Sequence, residues 1–371
     1  MKPGYKQTEV GMIPEDWNVA RIKDLALIQT GKRNTQDRVD DGAYPFFVRS
    51  QIVERINSYS FDGEAVLTAG DGVGTGKVFH YIKGRFDIHQ RVYRISDFSP
   101  ELNGFFFFLY FSSHFYDRIM SMTAKSSVDS VRLEMIANME IPLPPLSEQR
   151  AVATALEDVD ELLDALTRLI AKKRDLKQAA MQQLLTGQSR LPGFSGEWKV
   201  KRLEDLLTYE RPDRYIVQST EYSQHSDIPV LTANKSFILG FIAESFGVFT
   251  DLPAIIFDDF TTDSKYVDFP FKVKSSAMKI LKKRINEVDL RYIYERIQLI
   301  QCPIGEHKRH YISEFQKIEL PFPEYDEQIA IVAMLSDLDA AIATLDKRLN
   351  KTRALKQGMM QELLTGRIRL I

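Results

Sequence analysis

The sequence of 371 residues contains one cysteine, Cys302. A lone thiol excludes an intramolecular disulfide and any zinc site built on paired cysteines, and it fits a reducing, cytoplasmic setting. Long apolar runs are also missing. The longest, Gly104 to Phe111, spans eight residues. A bilayer-spanning helix needs about 20, so this run reads as a buried helix or strand. Met1 to Val10 lacks the apolar stretch of a signal peptide. The six histidines show no H-E-x-x-H or related spacing, so no metal site is expected. Neither sign of charge dominates, with 49 Lys and Arg against 51 Asp and Glu. That argues against a simple polycationic coat for nucleic acid, but not against a clamp that is basic on its inner face.

What is present is a repeat. Residues 141–191 and 320–370 align without a gap at an offset of 179, with 22 identities in 51 positions. A weaker match precedes each copy. Pro14 to Leu25 resembles Ser195 to Leu206, which puts both tryptophans, Trp17 and Trp198, in equivalent places. The chain is therefore two half-chains, each a globular segment followed by a long helix. The helices have stayed alike while the globular parts have diverged, as expected of one scaffold presenting two different readers.

Ser147 and Asp326 are the expected N-caps of the two helices, and Thr186-Gly187 and Thr365-Gly366 the expected stops. Roughly 38 residues between them make about 57 Å of helix. Apolar residues recur three and four apart. In the first helix the series is Val152, Ala155, Val159, Leu162, Leu166, Leu169, Lys173, Leu176 and Ala180. In the second it is Ile331, Met334, Leu338, Ala341, Leu345, Arg348, Thr352, Leu355 and Met359. This reads as a coiled-coil seam, with polar Lys173 and Thr352 at matching positions; the alternative is two solvated amphipathic helices, each packed on its own domain. Each helix is acidic first and basic later, an order that suits its own dipole, so antiparallel pairing sets acidic halves against basic ones. The expected bounds are a first globular domain over 1–147, a helix over 148–187, a second domain over 188–326, a helix over 327–366 and a tail over 367–371. The expected fold is α+β, with a pseudo-twofold internal repeat and an antiparallel coiled coil joining two globular domains. Such a rod is suited to holding two readers at a fixed separation.

The opening Gly4 to Trp17, the stretch Ile141 to Arg150 and the helix end Leu184-Leu185-Thr186-Gly187 resemble the specificity subunits of type I restriction–modification systems, and the resemblance covers essentially the whole chain. It implies two target-recognition domains, each reading half of a bipartite site in the major groove. It also implies that the helices set the unread spacer and bind methyltransferase subunits. The implied partners are double-stranded DNA, two modification (methyltransferase) subunits and restriction/translocase subunits, with no membrane. No catalysis and no cofactor are expected in this chain; S-adenosylmethionine and the adenine-N6 chemistry belong to the modification subunit. The readings to set against this are the specificity subunit of a type IIB-like combined restriction and methylation enzyme, a stand-alone methyltransferase or nuclease, and a coiled-coil adaptor that binds no DNA.

Motifs that look catalytic fall short. Gly70 to Lys77 is glycine-rich but has aspartate at position 71 where a Walker loop needs glycine, and Val78 follows Lys77 in place of Ser or Thr. Leu143-Pro144-Pro145-Leu146 lacks both the Asn or Asp and the aromatic of an amino-methyltransferase loop.

Base reading needs Arg or Lys for guanine and Asn or Gln for adenine, while phosphate takes Lys, Arg, Ser, Thr and backbone amides. In the first domain the candidates are Arg49, Ser50, the loop residues Asp71, Gly72, Gly74, Thr75 and Lys77, and His89-Gln90-Arg91. In the second they are Asn234, Lys235, Thr261, Thr262, Lys265, Lys274, Ser275, Ser276, His307, Lys308 and Arg309, with a further basic cluster at Lys282-Lys283-Arg284. The ordinary reading of these segments is a hairpin turn, a strand edge or a solvated charge run. The two domains differ at nearly every such position, so two different half-sites are expected.

Overall fold

The computed structural model describes residues 3–122, 130–219, 221–223, 226–233, 236–300 and 310–370. The chain forms two compact units, Met1–Leu166 with Arg348–Ile371, and Thr167–Lys347.

The first unit holds a sheet of β1 (Leu27–Thr30), β2 (Tyr44–Phe47), β3 (Glu54–Ile56), β4 (Phe61–Ala69), β5 (Phe79–Ile88) and β6 (Val92–Ser96), in the spatial order β1-β6-β4-β5-β2-β3. Neighbours are antiparallel except β2 and β5, which run parallel. Side chains alternate across a strand. Val66 of β4 therefore joins the larger core, while Ala65 and Leu67 pack on the opposite face with Phe47, Phe86, Ile88 and Val92. The apolar run from Gly104 is a helix, Gly104–Ser121, whose first turn is capped by Asn103 accepting the Phe106 N–H at 2.8 Å. Its Phe106, Phe107, Phe111, Phe115 and Ile119 are all buried, each contributing about 1.5–3 kcal/mol of transfer free energy. A short pair, Asn18–Arg21 with Glu140–Leu143, brings the start of the chain to the foot of the first long helix.

The second unit repeats this layout with the sheet broken in two. Its strands are β7 (Leu207–Glu210), β8 (Ile228–Leu231), β9 (Ile238–Ile242), β10 (Ala254–Asp258), β11 (Ser264–Val267), β12 (Lys272–Val273) and β13 (Met278–Lys283), in the orders β7-β13-β10-β11 and β9-β8-β12. The parallel pair β8 and β12 is the counterpart of β2 and β5. Where the first unit has the single strand β5, the second has β11 and β12. Pro270 lies between them, and a proline has no N–H to give a ladder.

The long helices span Leu146–Leu184 and Tyr325–Leu363. Ser147 and Asp326 are therefore already inside them, not N-caps as expected. The carbonyl of Pro145 takes the N–H groups of Glu148 and Gln149 at 2.9 and 3.0 Å, and that of Glu324 takes those of Glu327 and Gln328 at 3.1 and 3.2 Å. A buried glutamine then ties each helix start to its unit. Gln149 donates to the carbonyls of Glu101 and Pro144, both at 2.8 Å, and accepts the Asn103 N–H at 2.9 Å. Gln328 donates to those of Glu287 and Pro323, both at 3.0 Å, and accepts the Asp289 N–H at 2.9 Å. Past the helix ends, Gly187 and Gly366 adopt φ of 75° and 68°, the left-handed stop glycine allows.

Within each unit the two helices run antiparallel. In the first unit Asp160 pairs with Lys356 at 2.5 Å, and Val152 and Leu156 share a core with Leu363 and Leu364. In the second, Lys177 pairs with Asp339 at 2.6 Å and Arg174 with Asp346 at 3.1 Å, and Leu184 and Leu185 share a core with Ile331 and Leu335. The apolar frame differs from the expected one. Val152, Leu166 and Ile331 are buried and Val159, Leu338 and Leu345 half-buried, but Leu162, Leu169, Leu176 and Leu355 are exposed. The inward positions fall one residue later, at Leu156, Leu163, Ile170 and Lys177 and at Leu335, Ile342, Leu349 and Lys356. The sequence offers apolar residues at both alternatives (Leu162 or Leu163, Leu169 or Ile170). The ion pairs of Lys177 and Lys356 settle the frame in favour of the later ones.

By length and composition alone the second long helix is apolar enough to cross a membrane. Its Asp339 and Asp346 are taken up by Lys177 and Arg174, and the helix is not a membrane indication.

Candidate nucleic-acid interface

In the first unit, four separated segments converge at one end of the sheet. The loop between β4 and β5 is joined to the segment before β6 by the Gly70 N–H donating to the Arg91 carbonyl at 2.7 Å. Asp71 is the hub. It accepts from Arg49 at 2.8 Å and pairs with Arg91 at 3.2 Å, so it holds two exposed guanidinium groups in one place. Gln51 donates to the Lys77 carbonyl at 3.2 Å, which brings the loop after β2 alongside. Gln90 bonds the Asn34 side chain, and its N–H donates to the Arg33 carbonyl at 2.7 Å. Arg33 itself is fixed by Asp87 at 3.2 Å and Ser58 at 3.0 Å. The carboxylate of Asp87 is almost fully buried and also accepts from Ser58, Ser60 and the Ile88 N–H, so its charge is fully met by hydrogen bonds.

The exposed donors on this surface are Arg49, Lys77, Gln90 and Arg91, with Ser50 half-buried beside them. Arg33, Asn34 and Gln51 belong to it as well, and the sequence reading missed them. The basic pair Lys32-Arg33 followed by Asn34 was the available signal, but only the fold brings it to His89.

Three expected contacts turn out to support the loop. His89 is 5% exposed, and its Nδ1 accepts the Arg91 N–H at 3.0 Å. Burial, followed by the nearby Arg49 guanidinium, pushes its pKa down, so the ring is neutral and shapes the Arg91 turn. Thr75 is buried and gives its hydroxyl to the Gly72 carbonyl at 2.6 Å. Gly74 is buried against the chain, where an added Cβ would stand 2.6 Å from the Arg49 carbonyl. Asp71 stays half-buried between the two arginines it pairs, and Gly72 is exposed.

The second unit has the same junction. The Asp259 N–H donates to the Ala277 carbonyl at 3.1 Å, which sets the β10–β11 turn beside the segment before β13. Thr261, Lys274, Ser275 and Ser276 are exposed there, and Thr262 is half-buried at φ 60°. The turn is closed by Asp258, whose side chain accepts the N–H groups of Phe260 and Thr261, both at 2.9 Å. Lys274 extends over the Tyr222 ring at 5.7 Å. Lys265 lies half-buried within β11, away from the turn tip. The cluster at 282–284 is partly consumed by structure, because Lys282 pairs with Asp251 and Arg284 donates to the Leu207 carbonyl. Asn234, Lys235, His307, Lys308 and Arg309 lie outside the described residues, as does Cys302. Among the described residues no cluster of His, Cys, Asp and Glu is arranged to hold a metal.

A duplicated frame thus carries two different donor-rich surfaces, one on each unit. The sequence profile of the type I restriction modification DNA specificity domain matches residues 14–175 and again 195–353. The chain belongs to that family, the non-catalytic DNA-recognition subunits of type I restriction–modification systems. It is 38% identical to the EcoR124I/EcoR124II specificity subunit of Escherichia coli over 182 residues, a match covering 46% of this chain and 45% of that one. Over 99% of its length it is 25% identical to the putative MjaX specificity subunit of Methanocaldococcus jannaschii, covering 97% of that protein. The crystal structure of a type I S subunit from M. genitalium shares the fold, with a TM-score of 0.66 at 18% identity over 98% of this chain and 99% of that one.

Proposed function

We propose that the two units each read one half of a bipartite duplex site, with the first long helix and its repeat fixing the gap between the halves. The recognition domains are 1–147 and 188–326. The observation that carries this reading is the paired junction. In both units the same backbone bond sets a hairpin tip beside the segment before the next strand, yet one junction presents Arg49, Gln90 and Arg91 and the other Thr261, Lys274, Ser275 and Ser276. Arg and Gln suit guanine and adenine edges, whereas Thr and Ser suit phosphate, sugar or either base. The half-sites therefore differ.

DNA and the modification and restriction subunits are the partners of this family. For this chain we assign two modification subunits, one per half-site, each methylating an adenine at N6 with its own S-adenosylmethionine after the base leaves the stack. The helices, as an antiparallel coiled coil, carry those subunits. Family membership favours this over the type IIB-like arrangement, the stand-alone enzyme and the adaptor. The test is reconstitution with the modification subunit, methylation of a randomised plasmid library and sequencing of the modified adenines. A split motif with a fixed gap is expected; a contiguous motif, or methylation unchanged when this chain is omitted, contradicts the reading.

A further inference from the structure

Val73 is 99% exposed and Ile52 73% exposed, the two highest values for any large apolar residue among those described. Both sit on the donor surface of the first unit, on adjoining loops tied together by the Gln51 bond to the Lys77 carbonyl. Single exposed apolar residues are ordinary on protein surfaces, but these two lie where the chain is otherwise polar and tightly braced. On one side of Val73, Gly72 turns the chain at φ 79°; on the other, Gly74 presses on the Arg49 carbonyl. The Thr75 N–H and hydroxyl both close back on Gly72, and the Lys77 and Val78 N–H groups close on Gly74, each at 3.0 Å. The loop thus spends its hydrogen bonds on holding one valine outward.

We propose that Val73 is a specificity-determining residue that packs against the C5 methyl of a thymine in the half-site read by the first unit. An isopropyl group has no hydrogen bond to offer, and the thymine methyl is the apolar feature of the major-groove edge. Arg49 and Arg91, gathered by Asp71 at the root of the same loop, supply the polar contacts to neighbouring bases or phosphates. The inference rests on the proposed DNA-reading function of this surface.

The test uses the assembled complex with its modification subunits and duplexes carrying the site found by sequencing. Each thymine is replaced in turn by deoxyuridine, which removes the methyl and keeps the pairing. At one thymine of the first half-site the wild type is expected to lose about fourfold in affinity, the worth of one buried methyl-sized group. Val73→Ser is expected to bind thymine and deoxyuridine there equally, while keeping every penalty in the other half-site. A first half-site without thymine overturns the proposal, as does a deoxyuridine penalty unchanged by Val73→Ser, or a Val73→Ser loss equal for all sequences. Absence of any sequence-specific binding by the wild-type complex overturns the functional reading itself.

Discussion

Arg369 lies against Glu148 so that its Nε and Nη2 donate to the two carboxylate oxygens at 2.6 and 2.7 Å. At the equivalent place 179 residues earlier, Arg190 meets Glu327 at 2.5 and 2.6 Å. The tryptophans complete both clamps, Trp17 donating to Glu148 at 3.1 Å and Trp198 to Glu327 at 2.9 Å. Each clamp joins the segment that follows one long helix to the first turn of the other, which closes a unit made from distant parts of the chain. Both glutamates are almost fully buried.

Removing one guanidinium leaves a buried carboxylate uncompensated, at a cost of about 3–5 kcal/mol. Arg369→Ala is therefore expected to speed hydrogen exchange across the first unit and leave the second unit protected; Arg190→Ala is expected to do the reverse. Equal loss of protection in both units contradicts the clamp's local role.

The first recognition domain is expected to weaken in mild acid. Burial lowers the pKa of both His80 and His89. A histidine lowered in the folded state contributes stability that is complete above its unfolded value of about 6.5 and is lost as pH falls below it, because the unfolded chain takes up the proton first. Protonating His89 also removes the Nδ1 acceptor of the Arg91 N–H. Denaturant midpoints of the first unit should fall between pH 7.5 and 5.5, and His80→Asn with His89→Asn should flatten that slope. A second component lies lower: the Arg369 hydrogen bond holds Asp16 below the usual carboxylate range, so its contribution is complete above the unfolded value of about 3.9 and is lost as pH falls from there through the depressed value.

Both long helices are continuous through both units. Four residues inserted into each add about 6 Å of helix, roughly two base-pair steps at 3.4 Å each. The tolerated gap is expected to lengthen by about one to two base pairs with neither half-site altered, as read by binding to duplexes of graded spacer. An altered half-site contradicts the ruler role.

The repeat made much of this architecture legible. An offset of 179 predicts that whatever Glu148, Gln149 and Arg190 do will be done again by Glu327, Gln328 and Arg369, and the structure bears this out residue by residue. The helix frame was not legible, because adjacent apolar residues at several positions suit either phase, and burial and the cross-helix ion pairs distinguish them. The interface was half legible. Arg49, Gln90 and Arg91 stood out by type, whereas the burial of His89 and Thr75 depends on contacts from segments distant in sequence. Arg33 and Asn34 are brought to the surface by contacts distant in sequence, the parallel bridge of Arg33 to His89 and the bond between the Asn34 and Gln90 side chains.

Each unit is expected to read its own half-site. The most direct measurement is single-molecule sequencing of N6-methyladenine in a host carrying the system, with residues 188–326 replaced by the corresponding domain of another family member. The account predicts that one half of the split motif changes while the other half and the gap stay as they were. A motif that changes in both halves, or in neither, contradicts it.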